Sequence, residues 1–85
     1  MLKLTVTPEA PSVTLRAEGE LVESWVDLIT EECRRLRVGA TVLSLDLGGV
    51  TYVDGRGVQC LRELAADGIR LVRCPPLIQL MLDGD

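Results

Sequence analysis

Three short runs in this chain alternate apolar with polar residues. Leu2, Leu4 and Val6 alternate with Lys3, Thr5 and Thr7; Val13, Leu15 and Ala17 with Thr14, Arg16 and Glu18; Leu43, Leu45 and Leu47 with Ser44 and Asp46. Strict alternation places one side of a strand in a core and the other in water. A sheet built from such strands has one wet face. The helices then go to the opposite face, and the expected architecture is two layers.

The remaining segments supply those helices. Pro8 to Ser12 carries two prolines and reads as the turn of an antiparallel hairpin between the first two runs. From about Leu21 to Arg37, Val22, Trp25, Leu28, Ile29, Cys33 and Leu36 recur at helical spacing, with Glu23, Asp27, Glu31, Arg34 and Arg35 on the other side. Acids early and arginines late suit the helix dipole, and Gly39 is a natural stop. Thr41 to Leu47 reads as a third strand broken by Gly48-Gly49, after which Val50 to Val53 leads into a helix from about Arg56 to Asp67. Val58, Leu61, Leu64 and Ala65 form the apolar stripe of that helix, and Gly68 ends it. Ile69 to Arg73 is a short fourth strand. Pro75-Pro76 starts a last helix, proline being well placed in a first turn, with Leu77, Leu80 and Met81 expected inward. The order is β-β-α-β-α-β-α, an α/β fold.

Composition bounds what such a domain does. At 85 residues the chain reads as a single domain, 1–85, of a size that buries roughly 60% of its unfolded surface. Nine Lys and Arg against thirteen acids give a net charge of −4. That balance lacks the basic face a nucleic-acid binder needs, and Trp25 and Tyr52 are too few for a stacking platform. No run is long enough to span a bilayer and the N-terminal segment lacks the features of a signal peptide, so no membrane insertion and a cytoplasmic location are expected. Cys33, Cys60 and Cys74 are widely spaced and there is no histidine. Zinc sites need clustered Cys and His; these cysteines read as core residues of a reducing compartment. No metal or cofactor is implied, and no acid/base or nucleophile pair is visible, so an enzyme is not expected.

The chemistry-bearing segment is Val50-Thr51-Tyr52-Val53-Asp54-Gly55-Arg56-Gly57-Val58, where a strand signal runs directly into a helix signal. Asp54 is placed to cap the helix by accepting from the N–H of Arg56 or Gly57. Free backbone N–H groups of a helix start are anion-friendly. Arg56 opposes the helix dipole there, at a cost of about 0.3–1 kcal/mol. It reads either as a surface charge leaning into solvent or as a planar fork for a partner's carboxylate or phosphate. Gly48-Gly49 has no following Lys-Ser/Thr pair, so it reads as a turn and not a nucleotide loop. Trp25 reads as core, or as an interface anchor where partly exposed. The apolar residues of the last helix exceed one face, and the remainder suggests dimerisation or partner docking.

The order of elements, Ala17-Glu18-Gly19-Glu20-Leu21 before the first helix, and Leu45-Asp46-Leu47-Gly48-Gly49-Val50-Thr51-Tyr52-Val53-Asp54 together resemble the STAS domain of sulfate transporters and anti-sigma factor antagonists. The resemblance spans almost the whole chain. It implies a SpoIIAA-like two-layer fold, a four-stranded mixed sheet with helices packed mainly on one face. It also implies a non-enzymatic protein-interaction module of bacterial signalling. In phosphorylatable members the Asp is followed by a Ser, one residue, a Gly and an aliphatic residue, and a partner kinase modifies that Ser. Asp54, Gly57 and Val58 match; Gly55 falls on the acceptor position and Arg56 on the variable one. The acceptor hydroxyl is missing, so the charge of about −1.5 to −2 that phosphorylation adds has no place to go. The implied partner-binding residues are Asp54, Gly55, Arg56, Gly57 and Val58. The implied partner is an anti-sigma factor or kinase-like regulator. The resemblance also admits an accessory subunit touching the ATPase of an ABC-type lipid transport complex, or a small-ligand-binding STAS domain.

Overall fold

A computed structural model describes residues 1–9, 11–39 and 42–84. Its elements are β1 (Leu2–Glu9), β2 (Ser12–Leu21), α1 (Glu23–Arg37), β3 (Val42–Val53), α2 (Gly55–Ala66), β4 (Arg70–Val72) and α3 (Pro76–Asp83). The order read from the sequence is the order found. Ala10 in the expected turn and Thr41 at the expected start of the third strand lie outside the described residues.

The four strands form one mixed sheet in the order β1-β2-β3-β4. β1 and β2 are antiparallel, and the β2/β3 and β3/β4 pairs are parallel. Each parallel pair is joined by one helix, and both connections step in the same direction across the sheet. Right-handed crossovers then place α1 and α2 on the same face. Burial agrees: Leu15, Ala17, Leu43, Leu45 and Leu47 are buried, while Arg16, Glu18, Ser44 and Asp46 between them are not.

Gly48-Gly49 does not break the third strand. β3 runs on to Val53, and the two glycines mark a bulge. Arg16 pairs with Asp46 but Glu18 pairs with Gly49, so β3 spends three residues where β2 spends two; a second shift separates Gly19 and Glu20. The inward positions of β3 therefore move from a spacing of two to a spacing of three, and Leu47, Val50 and Val53 are all buried. A strict alternation reading ends the strand at Leu47 because it cannot see the extra residue that restores the phase.

Two of the three helices, α1 and α3, are rotated relative to their expected stripes. In α1 the buried residues are Val26, Ile29 and Cys33; Leu28 is exposed, and Trp25 and Leu36 pack only partly against the core. Ile29 and Cys33 of the expected stripe are buried, and the face that meets the sheet is turned away from Leu28 and towards Val26, by less than one residue step. In α2 Val58, Leu61 and Leu64 are buried as expected, Gly57 and Cys60 join them, and Ala65 is exposed. In α3 the expectation is reversed. Ile78 is buried and Leu82 packs on the core, whereas Leu77 and Leu80 are each 69% exposed and Met81 also faces outward. With apolar residues at 77, 78, 80, 81 and 82, and only the narrow polar side of Gln79 and Asp83 between them, the pattern of α3 sets its rotation loosely. Docking on α2 sets it instead: the Arg62 guanidinium donates to the carbonyls of Met81, at 3.1 Å, and Leu82, at 3.2 and 3.3 Å. A cation on the last carbonyls is a favourable helix end.

Candidate functional site

α1 begins without a cap of its own. Its N-cap residue is Val22, which has no side-chain acceptor. The acceptor comes from the next crossover. Asp54, the N-cap of α2, accepts from the Gly57 N–H at 2.8 Å through Oδ1 and from the Glu23 N–H at 2.9 Å through Oδ2. One carboxylate thus caps two helices, and its negative charge lies at the positive ends of both dipoles. The backbone strengthens the junction: the Asp54 N–H donates to the Leu21 carbonyl at 3.3 Å, and the Val58 N–H to the Asp54 carbonyl at 2.9 Å. The capping role read from the sequence holds, with Gly57 as the partner. The second bond had no signal in the segment itself. The signal that could have found it is the absence of Ser, Thr, Asp or Asn at Val22.

The five residues expected to bind a partner divide by burial. Gly55 and Arg56 are exposed and Asp54 is half-buried, but Gly57 and Val58 are buried. Val58 packs in the core, and its side chain is not available to a partner. Gly57 is where α2 touches the end of β2. A Cβ there would overlap the Leu21 carbonyl oxygen and lie 2.6 Å from Val53 Cγ1. Gly55 is the opposite case. A Cβ added there meets no atom within 4 Å, and its backbone is not in the left-handed region. The position is open to any side chain. Arg56 Nη1 lies 3.8 Å from Glu23 Oε1, with both side chains more than half exposed. That is a weak surface pair and leaves the guanidinium accessible.

A second polar cluster lies on the sheet face opposite the helices. Asp46 accepts from the Gly48 N–H at 2.8 Å, from Arg73 Nε at 3.2 Å and from Arg16 Nη1 at 3.2 Å. Arg73 has φ of 53°, unusual for a non-glycine residue, and its guanidinium fills the space a side chain on Gly48 would need. Burial pushes the Asp46 carboxyl up, but the Gly48 N–H and the Arg73 and Arg16 guanidiniums outweigh it and hold the group below its ordinary value. A carboxylate lowered in the folded state contributes stability that is present above its unfolded pKa, near 3.8, and is lost as pH falls through the lower folded value. Asp46→Asn is expected to lower the urea midpoint at pH 7 and to differ little from the original chain at pH 2. An equal deficit at both pH values would remove the ionic part of this account.

The surroundings of the cysteines disfavour the thiolate. Cys33 and Cys60 are buried, and all three are free thiols. Burial, with the neighbouring Cys60 adding to it, pushes the Cys33 thiol up to about 11; burial also raises Cys60 and Cys74. Thiols held protonated are poor nucleophiles and poor metal ligands. Among the described residues no three His, Cys, Asp or Glu side chains group as a metal site, and no helix is long and apolar enough to cross a membrane.

The arrangement of these elements matches solved structures. The anti-sigma factor antagonist SpoIIAA in its unphosphorylated form superposes with a TM-score of 0.66 at 20% identity, over 100% of this chain and 84% of that one. The fold is SpoIIAA-like. An uncharacterized DUF3478-family protein from Shewanella loihica PV-4, itself described as having a SpoIIAA-like fold, matches with a TM-score of 0.62 at 10% identity, over 94% of this chain and 72% of that one. A part of a much longer chain is similar as well: Mglu matches with a TM-score of 0.64 at 27% identity, over 79% of this chain but only 18% of Mglu. This chain thus spans less than a fifth of the length of Mglu. No family model and no curated protein matches the sequence.

Proposed function

We propose that the chain is a non-enzymatic protein-interaction module of bacterial signalling, resembling an anti-sigma factor antagonist that is not switched by phosphorylation at the usual position. The observation that carries this reading is the start of α2 in a SpoIIAA-like fold. Asp54 holds the frame as a double cap, and the next residue, Gly55, is exposed at the first helical position without a hydroxyl. Contact with a protein partner runs through the accessible groups there, Arg56, the Gly55 backbone and the outer edge of Asp54. Gly57 and Val58 shape the surface from below. The similarity to a small segment of Mglu supports a module that can also stand within a longer chain. A chain with no histidine and raised thiols supports binding in place of catalysis.

Gly55→Ser tests the reading. The open space around Gly55 accepts the side chain, and a phosphate there gains the N–H groups and dipole of the helix start. With an anti-sigma-type serine kinase and ATP, the variant is expected to incorporate about one phosphate per chain and the original chain none. In titration calorimetry the original chain is expected to bind the same kinase-like regulator, and Arg56→Glu is expected to weaken that binding by roughly tenfold, about 1.4 kcal/mol. A folded Gly55→Ser that stays unmodified by an active kinase would remove the motif reading. Unchanged affinity in Arg56→Glu would remove the proposed surface.

A further inference from the structure

The two edges of the sheet differ in how they are protected. Exposed edges present unpaired backbone groups, and proteins blunt them with short strands, charges, proline or bulges. β4 is three residues long. β1 is eight residues long, and its central run, Leu4-Thr5-Val6-Thr7, carries no charge, glycine or proline. The residues of this strand that face the helix layer are increasingly uncovered along its length: Leu2 is buried, Leu4 half-buried, and Val6 is 39% exposed although its cross-strand neighbour Leu15 is fully buried.

The register tells which backbone groups are free. Leu2 pairs with Gly19, so Met1 stands opposite Glu20, and the Glu20 N–H donates to the Met1 carbonyl at 3.0 Å. Hydrogen-bonded and non-hydrogen-bonded pairs alternate along an antiparallel ladder. Lys3, Thr5 and Thr7 therefore bond to β2, and the N–H and C=O groups of Leu2, Leu4 and Val6 point away from the sheet. Pro8, which has no N–H to give, falls in the same outward set. A row of alternating donors and acceptors beside alternating apolar side chains is satisfied by one kind of occupant, an extended strand with apolar residues at every second position. The β1 strand of this chain is such a strand.

We propose that β1 pairs antiparallel with β1 of a second copy of this chain, with Leu4 on the two-fold axis, joining the two sheets into one of eight strands. The hydrogen-bonded pairs are Leu4 with Leu4 of the second copy, and Leu2 with its Val6 in both directions. Pro8 makes none of these bonds. Sliding the strands so that Thr5 faces Thr5 or Val6 faces Val6 would set Pro8 against Leu2 or Leu4 in a bonded position, where it lacks a donor and its ring meets a carbonyl. Proline thus excludes the registers slid in that direction, and the opposite slide would set Lys3 against Lys3. On the wet face Lys3 meets Thr5 of the second copy, and its charge is already opposite Glu18 of its own chain, so no like charges face each other across the seam. The interface is isologous, closed after two copies, and separate from the start of α2.

Sedimentation velocity of the full chain, from low micromolar to near-millimolar concentration, is expected to show the mass rising towards two copies. Val6→Lys, at a position open enough to hold the side chain, is expected to abolish that rise with an unchanged circular dichroism spectrum. In a Cys74→Ser background, Leu4→Cys is expected to oxidise with diamide to a disulfide-linked dimer, and Thr7→Cys, distant from its own copy in this register, is not. A single-copy mass at every concentration overturns the proposal. So does a rise that survives Val6→Lys, or cross-linking of Leu4→Cys no faster than that of Thr7→Cys.

Discussion

Asp54→Ala is expected to lower the unfolding free energy by about 2–3 kcal/mol, since a lost cap costs typically ~1 and up to about 2 kcal/mol and this residue caps two helices. The Gly57 N–H, which is part-buried, and the Glu23 N–H both lose their acceptor. The former cannot fully recover a partner from solvent and carries the larger share. The loss also frees the starts of α1 and α2 from one another, because Val22 offers no replacement. For a domain of this length, with roughly 0.05–0.15 kcal/mol of stability per residue, the change takes a large part of the total. Asp54→Asn keeps one carbonyl oxygen and so one of the two bonds, and its loss is expected to be intermediate. Urea denaturation midpoints of the three chains give the ranking. If Asp54→Ala unfolds no earlier than Gln59→Ala, an exposed site on the same helix, the double cap contributes nothing.

The second large effect separates two glycines that look alike in sequence. Gly57→Ala is expected to destabilise by about 3 kcal/mol, the upper part of the usual range for overpacking. Its Cβ would collide with the Leu21 carbonyl oxygen and Val53 Cγ1, and neither can turn away. One is strand backbone that accepts from the Asp54 N–H, and the other belongs to a fully buried valine. Relieving the clash would push α2 off the sheet and draw Gly57 away from Asp54. Gly55→Ala, two residues earlier, meets open space and is expected to be neutral or stabilising by up to about 1 kcal/mol, because alanine restricts the unfolded chain more than glycine does. Equal effects of the two substitutions would show that the spatial argument is wrong.

The contrast between these positions bears on function. An exposed, sterically open Gly55 is not required by the backbone, so the missing hydroxyl is not the by-product of a turn that only glycine can make. The proposed loss of switching then concerns the side chain alone, and one substitution is enough to test it. Gly57 belongs to the architecture of the fold, whatever the partner.

The parts of this protein legible in the sequence are those governed by local physics. Alternation in Leu2 to Val6, Val13 to Ala17 and Leu43 to Leu47 marked three strands and a one-sided core, because side chains in a strand point to opposite faces at every step. Asp54 before Gly55-Arg56-Gly57 marked a helix start, because a short acceptor satisfies orphan N–H groups only there. Non-local packing decided the rest. The bulge at Gly48-Gly49 is invisible without β2 beside it, since only the partner strand shows that three residues span the length of two. The rotations of α1 and α3 depend on what lies beneath them, and in α3 more than one face is apolar enough to be the inner one. The second bond of Asp54 joins residues 31 apart, and the difference between Gly55 and Gly57 is the nearness of Leu21 and Val53. The sequence by itself determined the order of elements and the place of the junction, through propensities and periods that act within a few residues. Only the tertiary structure decided which side chains at that junction face water, because exposure is a property of the neighbours that packing brings.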